Sequence, residues 1–178
     1  MQTAGTPSDA PIARAATELR GRQPTLRLAE AATPTQLAAV ADLLEDYEQT
    51  LGIDIAFDGL AGERSALRAG DSGDGILLLA TAGGEPAGCC ALRPRGDGVW
   101  ELKRLFVRAD CTGQGIGERL VRRGLALAGA RGARCVRLET SRLLVAAQRL
   151  YQRLGFREVP LERDLQIPLP LAMAFHLP

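Results

Sequence analysis

The sequence has little lysine, little histidine and no long apolar run, and its cysteines form no pattern. Lys103 and His176 are the only residues of their types, and aromatic residues make up 4% of the chain. The cysteines lack CxxC spacing and a partner group of histidines, so we expect neither a zinc site nor a disulfide scaffold. No stretch is apolar enough to span a membrane, and the N-terminus lacks the apolar core of a signal peptide. We therefore expect a cytoplasmic protein with reduced thiols, no metal and no membrane partner. The cysteines are Cys89, Cys90, Cys111 and Cys135.

The charge is balanced, with 22 basic and 21 acidic residues and a net charge of +1. That balance gives no electrostatic reason to expect a nucleic-acid partner. A chain of 178 residues fits one domain with a substantial core. Residues 1–24 are rich in small and polar residues and are expected to form a flexible extension, so that the domain spans residues 25–178.

The order of the elements predicts a mixed, mostly antiparallel sheet that is flanked by helices, an α/β (α+β) fold. Short turns join three successive strands, which must therefore be antiparallel. A helix joins the third of these to the next strand, so that those two strands are parallel. The predicted strands cover residues 25–30, 75–82, 87–93, 99–108, 135–140, 156–159 and 171–177. The predicted helices follow an N-cap at Thr33, cover residues 60–69 and 115–131, and follow an N-cap at Ser141.

A glycine-rich segment, Gly-Gln-Gly-Ile-Gly at residues 113–117, joins a predicted strand to a predicted helix. The first N–H groups of a helix have no partner inside the helix, and the helix dipole adds positive charge there. Glycines at alternate positions let an anion approach the bare backbone. The segment therefore predicts a phosphate-binding loop. A nucleotide-binding protein is one interpretation, but no Gly-Lys-Ser/Thr follows the glycines, as a P-loop requires.

This loop, the preceding Leu-Phe-Val at residues 105–107 and the segment Ala-Gln-Arg-Leu-Tyr-Gln-Arg-Leu-Gly-Phe at residues 147–156 resemble the signature motifs of the GNAT superfamily N-acetyltransferases. The resemblance implies a central sheet with a splayed pair of parallel strands. It also implies acetyl-coenzyme A as cosubstrate, with its diphosphate on the loop and its pantetheine amides paired to a strand edge. The cofactor-binding residues that it implies are Leu105, Phe106, Val107, Thr112, Gly113, Gln114, Gly115, Ile116 and Gly117.

One position departs from the family pattern. The family usually has arginine or glutamine before the first loop glycine, where this chain has Thr112. A neutral donor binds phosphate less strongly than a charged one, so we expect weaker cofactor binding but not its loss. Arg119, Arg122 and Arg123 either meet the 3′-phosphate or form a solvated helix face.

The resemblance also implies catalytic roles for two side chains. Tyr151 matches the family's general acid, which protonates the departing thiolate; the alternative is a residue that packs on the sheet. Glu101 is the candidate general base, directly or through water; the alternative is a strand residue paired with a neighbouring arginine. The backbone N–H of Val107, or of a residue beside it, is the expected oxyanion donor.

The expected function is acetyl transfer to a primary amine of a small molecule, a peptide or a protein. A catalytically inactive acyl-CoA-binding module remains an alternative because of Thr112. Asp54 and Asp58 weakly favour a cationic acceptor, although a solvated surface is the better interpretation. The resemblance leaves a homodimer paired through sheet edges open, and His176 is assigned no role.

Overall fold

The computed structural model describes residues 24–51 and 59–178, which form seven strands and four α-helices. The sheet order is β1-β2-β3-β4-β5-β7-β6. A short 3-10 helix covers Ala109–Cys111. The strands are β1 (Leu26–Glu30), β2 (Ile76–Ala82), β3 (Glu85–Gly96), β4 (Val99–Val107), β5 (Cys135–Ser141), β6 (Arg157–Val159) and β7 (Pro170–His176). The helices are α1 (Pro34–Leu51), α2 (Leu60–Arg68), α3 (Ile116–Ala130) and α4 (Val145–Leu154).

The sheet is antiparallel except for the pair formed by β4 and β5, as predicted. These two strands pair only over residues 99–101 of β4, although β4 continues to Val107. Beyond Glu101 the parallel strands diverge and leave one edge of β4 without a strand beside it. The mixed sheet and its splayed parallel pair are therefore confirmed.

Helices cover both faces of the sheet and divide the core in two. The apolar sides of α3 and α4 pack with Leu78, Leu92 and Leu138 on one face. On the other face, α1 and α2 pack with Leu77 and Leu79. Successive residues of β2 thus enter opposite cores, which explains why this strand is a continuous apolar run rather than an alternating one.

A β-bulge interrupts β4 at Arg104. Cys89 of β3 faces Phe106 whereas Ala91 faces Lys103, so β4 carries one extra residue there. Arg104 has a φ of 59°, in the left-handed region that non-glycine residues seldom adopt. The bulge reverses the pleat: Leu102 enters the core beneath α3, whereas Phe106, four residues later, enters the core beneath α1.

Two boundaries differ by three residues from the sequence prediction, and the others differ by at most two. Strand β3 continues past residue 93, because Pro94 still faces Trp100 of β4. The N-cap predicted at Ser141 is wrong, since α4 begins at Val145 and Ser141 ends β5. The Ser141 hydroxyl donates to the carbonyl oxygen of Pro168 at 2.6 Å and accepts the N–H of Leu143 at 3.1 Å, which ties the end of β5 to the approaching chain.

Some predictions lie outside the described residues. They include the flexible extension, of which only Pro24 is described, and the acidic positions Asp54 and Asp58. Within residues 24–51 and 59–178, no helix combines the length and the apolar character that a bilayer span requires.

Candidate functional site

A cavity of about 790 Å³ opens where β4 and β5 diverge. Its walls come from residues 101–107 of β4, the start of α4, the C-terminal end of α1 and the connection at residues 163–167. A smaller cavity of about 290 Å³ adjoins it and shares Arg95, Glu101, Glu139 and Arg163. The topology thus places a pocket beside the open strand edge, where parallel strands of a mixed sheet separate.

The open edge of β4 presents backbone donors to this cavity. The N–H of Arg108 donates to the carbonyl oxygen of Ala87 on the β3 side at 3.0 Å. Successive N–H groups of an extended strand point to opposite edges, so the N–H of Val107 faces the gap left by β5. Leu105, Phe106 and Val107, which the resemblance assigns to cofactor binding, all line the cavity.

Tyr151 reaches the cavity from α4, in which it is a buried residue of the last turn. Its ring packs on Phe156 with the centroids 5.6 Å apart. Burial raises the pKa of the Tyr151 hydroxyl above its usual value of 10.0, so that the group is protonated at neutral pH. It makes no hydrogen bond to another described side chain, and it lines the cavity with its proton available.

Glu101 lines the same cavity and is 9% exposed. Its carboxylate accepts a short hydrogen bond from Arg95, which is the arginine pairing that the alternative interpretation predicts. A second carboxylate, Glu139 of β5, lies across the cavity and pairs with Arg163 at 2.5 Å. Tyr151 and Glu101 therefore line one pocket, although they come from different elements and lie 50 positions apart in the chain.

Two further side chains of β4 were not identified by sequence reasoning. Lys103 lines the cavity two residues after Glu101, and its pKa is lowered by burial and by the neighbouring charge of Arg104. Arg104 donates from Nε to Glu63 of α2 at 2.7 Å, which anchors the bulge. The single lysine of an arginine-rich chain could have drawn attention to position 103, whereas the bulge at Arg104 leaves no pattern in the sequence.

The glycine loop lies next to this cavity but does not line it. Gly113 and Gly115 have φ values of 77° and 72°, and Gly115 is the N-cap of α3. Among the described residues, the N–H groups of residues 113–117 have no hydrogen-bond acceptor in the protein. The Arg108 guanidinium steadies the approach to the loop by pairing with Asp110 at 2.6 Å. The loop therefore offers the open backbone donors that a diphosphate would need.

Side chains around the loop, unlike its backbone N–H groups, bind other groups of the protein. The Thr112 hydroxyl donates to the carbonyl oxygen of Ala109 at 2.7 Å, so its proton is already in use. Arg122 pairs with Glu118 one turn earlier at 2.9 Å, as on a solvated helix face. A Cβ on Gly117 would lie 3.4 Å from a methyl group of Leu150, which shows how closely α3 approaches α4 at this point.

Comparison with known proteins gives concordant matches. Residues 37–156 match the model of the acetyltransferase (GNAT) family. An uncharacterized N-acetyltransferase of Schizosaccharomyces pombe is 32% identical over 127 residues, which cover 70% of this chain and 78% of that protein. The N-acetylaspartate synthetase of Danio rerio is 34% identical over 91 residues, or 51% of this chain and 32% of that protein.

The fold has counterparts among solved structures. An acetyltransferase of Salmonella typhimurium, solved with its cofactor acetyl-CoA, superimposes with a TM-score of 0.64 at 19% identity and covers 86% of this chain and 94% of that one. The open N–H groups of the glycine loop and the free edge of β4 fit the same cosubstrate. The chain belongs to the acetyltransferase (GNAT) family, and the cosubstrate of that family is acetyl-CoA.

Proposed function

We propose that this chain transfers the acetyl group of acetyl-CoA to a primary amine of a small molecule, a peptide or a protein. One observation carries the proposal: the cavity between β4 and β5 is lined by a protonated tyrosine, a carboxylate and an open strand edge. We assign the reaction to a domain of residues 25–178, within which the family match lies.

In this proposal the backbone binds most of the cosubstrate. The N–H groups of residues 113–117 donate to its diphosphate, and the edge of β4 from Leu105 to Val107 pairs with its pantetheine amides. Leu143 and Val145, whose side chains are 53% and 50% exposed, line the cavity and would be covered by the pantetheine arm. Burial of such apolar surface adds to the affinity.

Glu101 removes the proton that keeps the acceptor amine from attacking. An alkylamine has a pKa near 10.4 and is mostly protonated at neutral pH, so a base is needed. Glu101 acts directly or through a water molecule. Arg95 orients the carboxylate from one side and leaves its other lone pairs for the acceptor.

Val107 and Tyr151 then assist the rest of the reaction. The N–H of Val107, which faces the gap, donates to the oxygen that gains negative charge as the amine adds to the thioester. Tyr151 gives its hydroxyl proton to the thiolate as the carbon–sulfur bond breaks, and it is reprotonated by the second proton that the added nitrogen loses as the amide forms. A buried, protonated phenol without a competing hydrogen bond is suited to that step.

The alternative is an acyl-CoA-binding module without turnover. Thr112 is the residue that keeps this alternative open, because it stands where the family usually has arginine or glutamine and its hydroxyl proton is used within the loop. As for the acceptor, the Danio rerio relative is named for N-acetylaspartate, a small molecule, which favours a small-molecule acceptor here.

The test is release of free thiol from acetyl-CoA in the presence of a panel of amines. We expect thiol release with at least one amine, and a fall of about 10²- to 10⁴-fold in kcat for Glu101→Gln with unchanged affinity for coenzyme A. Glu30→Gln is the matched control, because Glu30 is also a strand carboxylate paired with an arginine, at 2.6 Å, but lies outside the cavity. Binding of coenzyme A without transfer to any amine would favour the inactive module.

A further inference from the structure

Lys103 is a cation that lines the cavity close to Glu101, the candidate base. It lies two residues after Glu101, before the bulge, so both side chains project from the same face of β4. The two Cα atoms of such a pair are roughly 7 Å apart along a strand. Lys103 is half-buried and is the only lysine of the chain. The ammonium group of Lys103 therefore lies in the same pocket as the carboxylate of Glu101, the candidate base.

The other cations that line the cavity are already neutralised. Arg95 pairs with Glu101, Arg104 with Glu63 at 2.7 Å, and Arg163 with Glu139 at 2.5 Å. Lys103 forms no ion pair and no hydrogen bond with any residue that the structure describes. Burial and the charges of Arg104 and Arg95 act against its protonated form and outweigh the favourable charges of Glu101 and Glu63, so that the pKa of Lys103 is lowered. An anion supplied by a ligand would relieve this unfavourable position.

The cosubstrate does not provide that anion. Its diphosphate is assigned to residues 113–117, none of which lines the cavity. An acceptor that carries only an ammonium group would meet a like charge at Lys103. An acceptor with a carboxylate beside its amine would instead place one group at Lys103 and the other at Glu101.

We propose that the acceptor is an amino acid, an amine that also bears a carboxylate, and that Lys103 binds this carboxylate while Glu101 faces the amine. This inference rests on the proposed function and narrows its substrate class. It assigns Lys103 as a specificity-determining residue rather than a base or acid.

Kinetics with matched acceptors provide the first test. Each common amino acid is compared with the amine that remains when its α-carboxylate is removed. We expect the amino acid to be the better acceptor, and Lys103→Met to lower its kcat/KM by about 10- to 100-fold, mainly through KM, with little effect on the decarboxylated amine. Lys103→Arg should retain most of the preference, and Arg27→Met, which removes an exposed cation outside the cavity, should retain all of it.

A direct binding measurement complements the kinetics. Because Lys103 is the only lysine, protein labelled with ¹⁵N and ¹³C in lysine gives a single side-chain signal set. We expect that signal to shift on addition of the preferred amino acid, and its titration midpoint to rise, with no change on addition of the decarboxylated amine. This measurement uses the wild-type protein, so it tests the inference even if Lys103→Met does not fold.

The outcomes separate the inference from the proposed function. Acetylation of decarboxylated amines in preference to amino acids, or an unchanged Lys103 signal, would overturn the inference and leave the transferase intact. Absence of thiol release with every amine, while coenzyme A still binds, would overturn the proposed function and the inference together.

Discussion

Replacing Tyr151 with phenylalanine separates chemistry from packing, because it removes only the hydroxyl. The ring contact with Phe156, at 5.6 Å between centroids, can persist. The hydroxyl makes no hydrogen bond within the described residues, so its removal leaves no buried partner unpaired. We therefore expect the free energy of unfolding to change by less than about 1 kcal/mol.

The effect on catalysis should be large. General acid catalysis contributes about 10²- to 10⁴-fold, which corresponds to about 3 to 5 kcal/mol in the activation barrier. We expect Tyr151→Phe to lower kcat by that factor, measured by thiol release, with unchanged affinity for coenzyme A by calorimetry. In the wild type, burial holds the pKa of Tyr151 above 10.0, so the hydroxyl keeps its proton and no loss of kcat from this group is expected below pH 10.

Two results would be inconsistent with Tyr151 as the general acid. Full turnover by Tyr151→Phe would mean that the hydroxyl does not protonate the thiolate. A fall in kcat accompanied by an equal loss of coenzyme A affinity and a lower melting temperature would show that the residue acts through packing.

Further predictions concern the loop, the buried thiols and the bulge. Thr112→Arg should tighten coenzyme A binding by about 10-fold in calorimetry, since it adds a charged donor; Thr112→Val should leave binding unchanged but cost about 1 kcal/mol in stability. Burial raises the pKa of Cys89 from 9.0 to about 12 and also raises that of Cys90, so both thiols are neutral in the folded state. Above pH 9 the thiols lose their protons in the unfolded state but keep them in the folded state. The free energy of unfolding should therefore be constant below pH 9 and fall above it by up to about 1.4 kcal/mol per pH unit for each thiol. A urea midpoint that is equal at pH 8 and pH 11 would contradict this prediction. A Cβ on Gly88 would lie 2.6 Å from the carbonyl oxygen of Phe106 beside the bulge, so Gly88→Ala should lower the free energy of unfolding by about 1–3 kcal/mol in urea titrations.

The parts of the fold that depend on local patterns could be predicted from the sequence. Short turns fix the antiparallel meander, and the helix between β4 and β5 fixes their parallel orientation, because both follow from chain connectivity. The glycine loop could be placed because it combines a strand end, alternating glycines and a helix start. Tyr151 could be assigned to the site only through the family motif, since spacing alone does not distinguish it from a core residue.

The rest depends on tertiary contacts that no local pattern records. The bulge at Arg104 places a guanidinium that donates to Glu63, which lies 41 positions earlier in the chain. Ser141 looked like an N-cap, but its hydroxyl binds the distant Pro168 carbonyl instead. That Lys103 has no ion-pair partner among the described residues depends on the three-dimensional placement of the neighbouring arginines and carboxylates.

The assignment of the cosubstrate site depends on the open N–H groups of residues 113–117, which are proposed to bind its diphosphate. A crystal structure of the protein with coenzyme A measures this directly. We expect diphosphate oxygens about 2.7–3.2 Å from those backbone nitrogens. A diphosphate bound elsewhere, with the same nitrogens donating to protein atoms, would contradict the account.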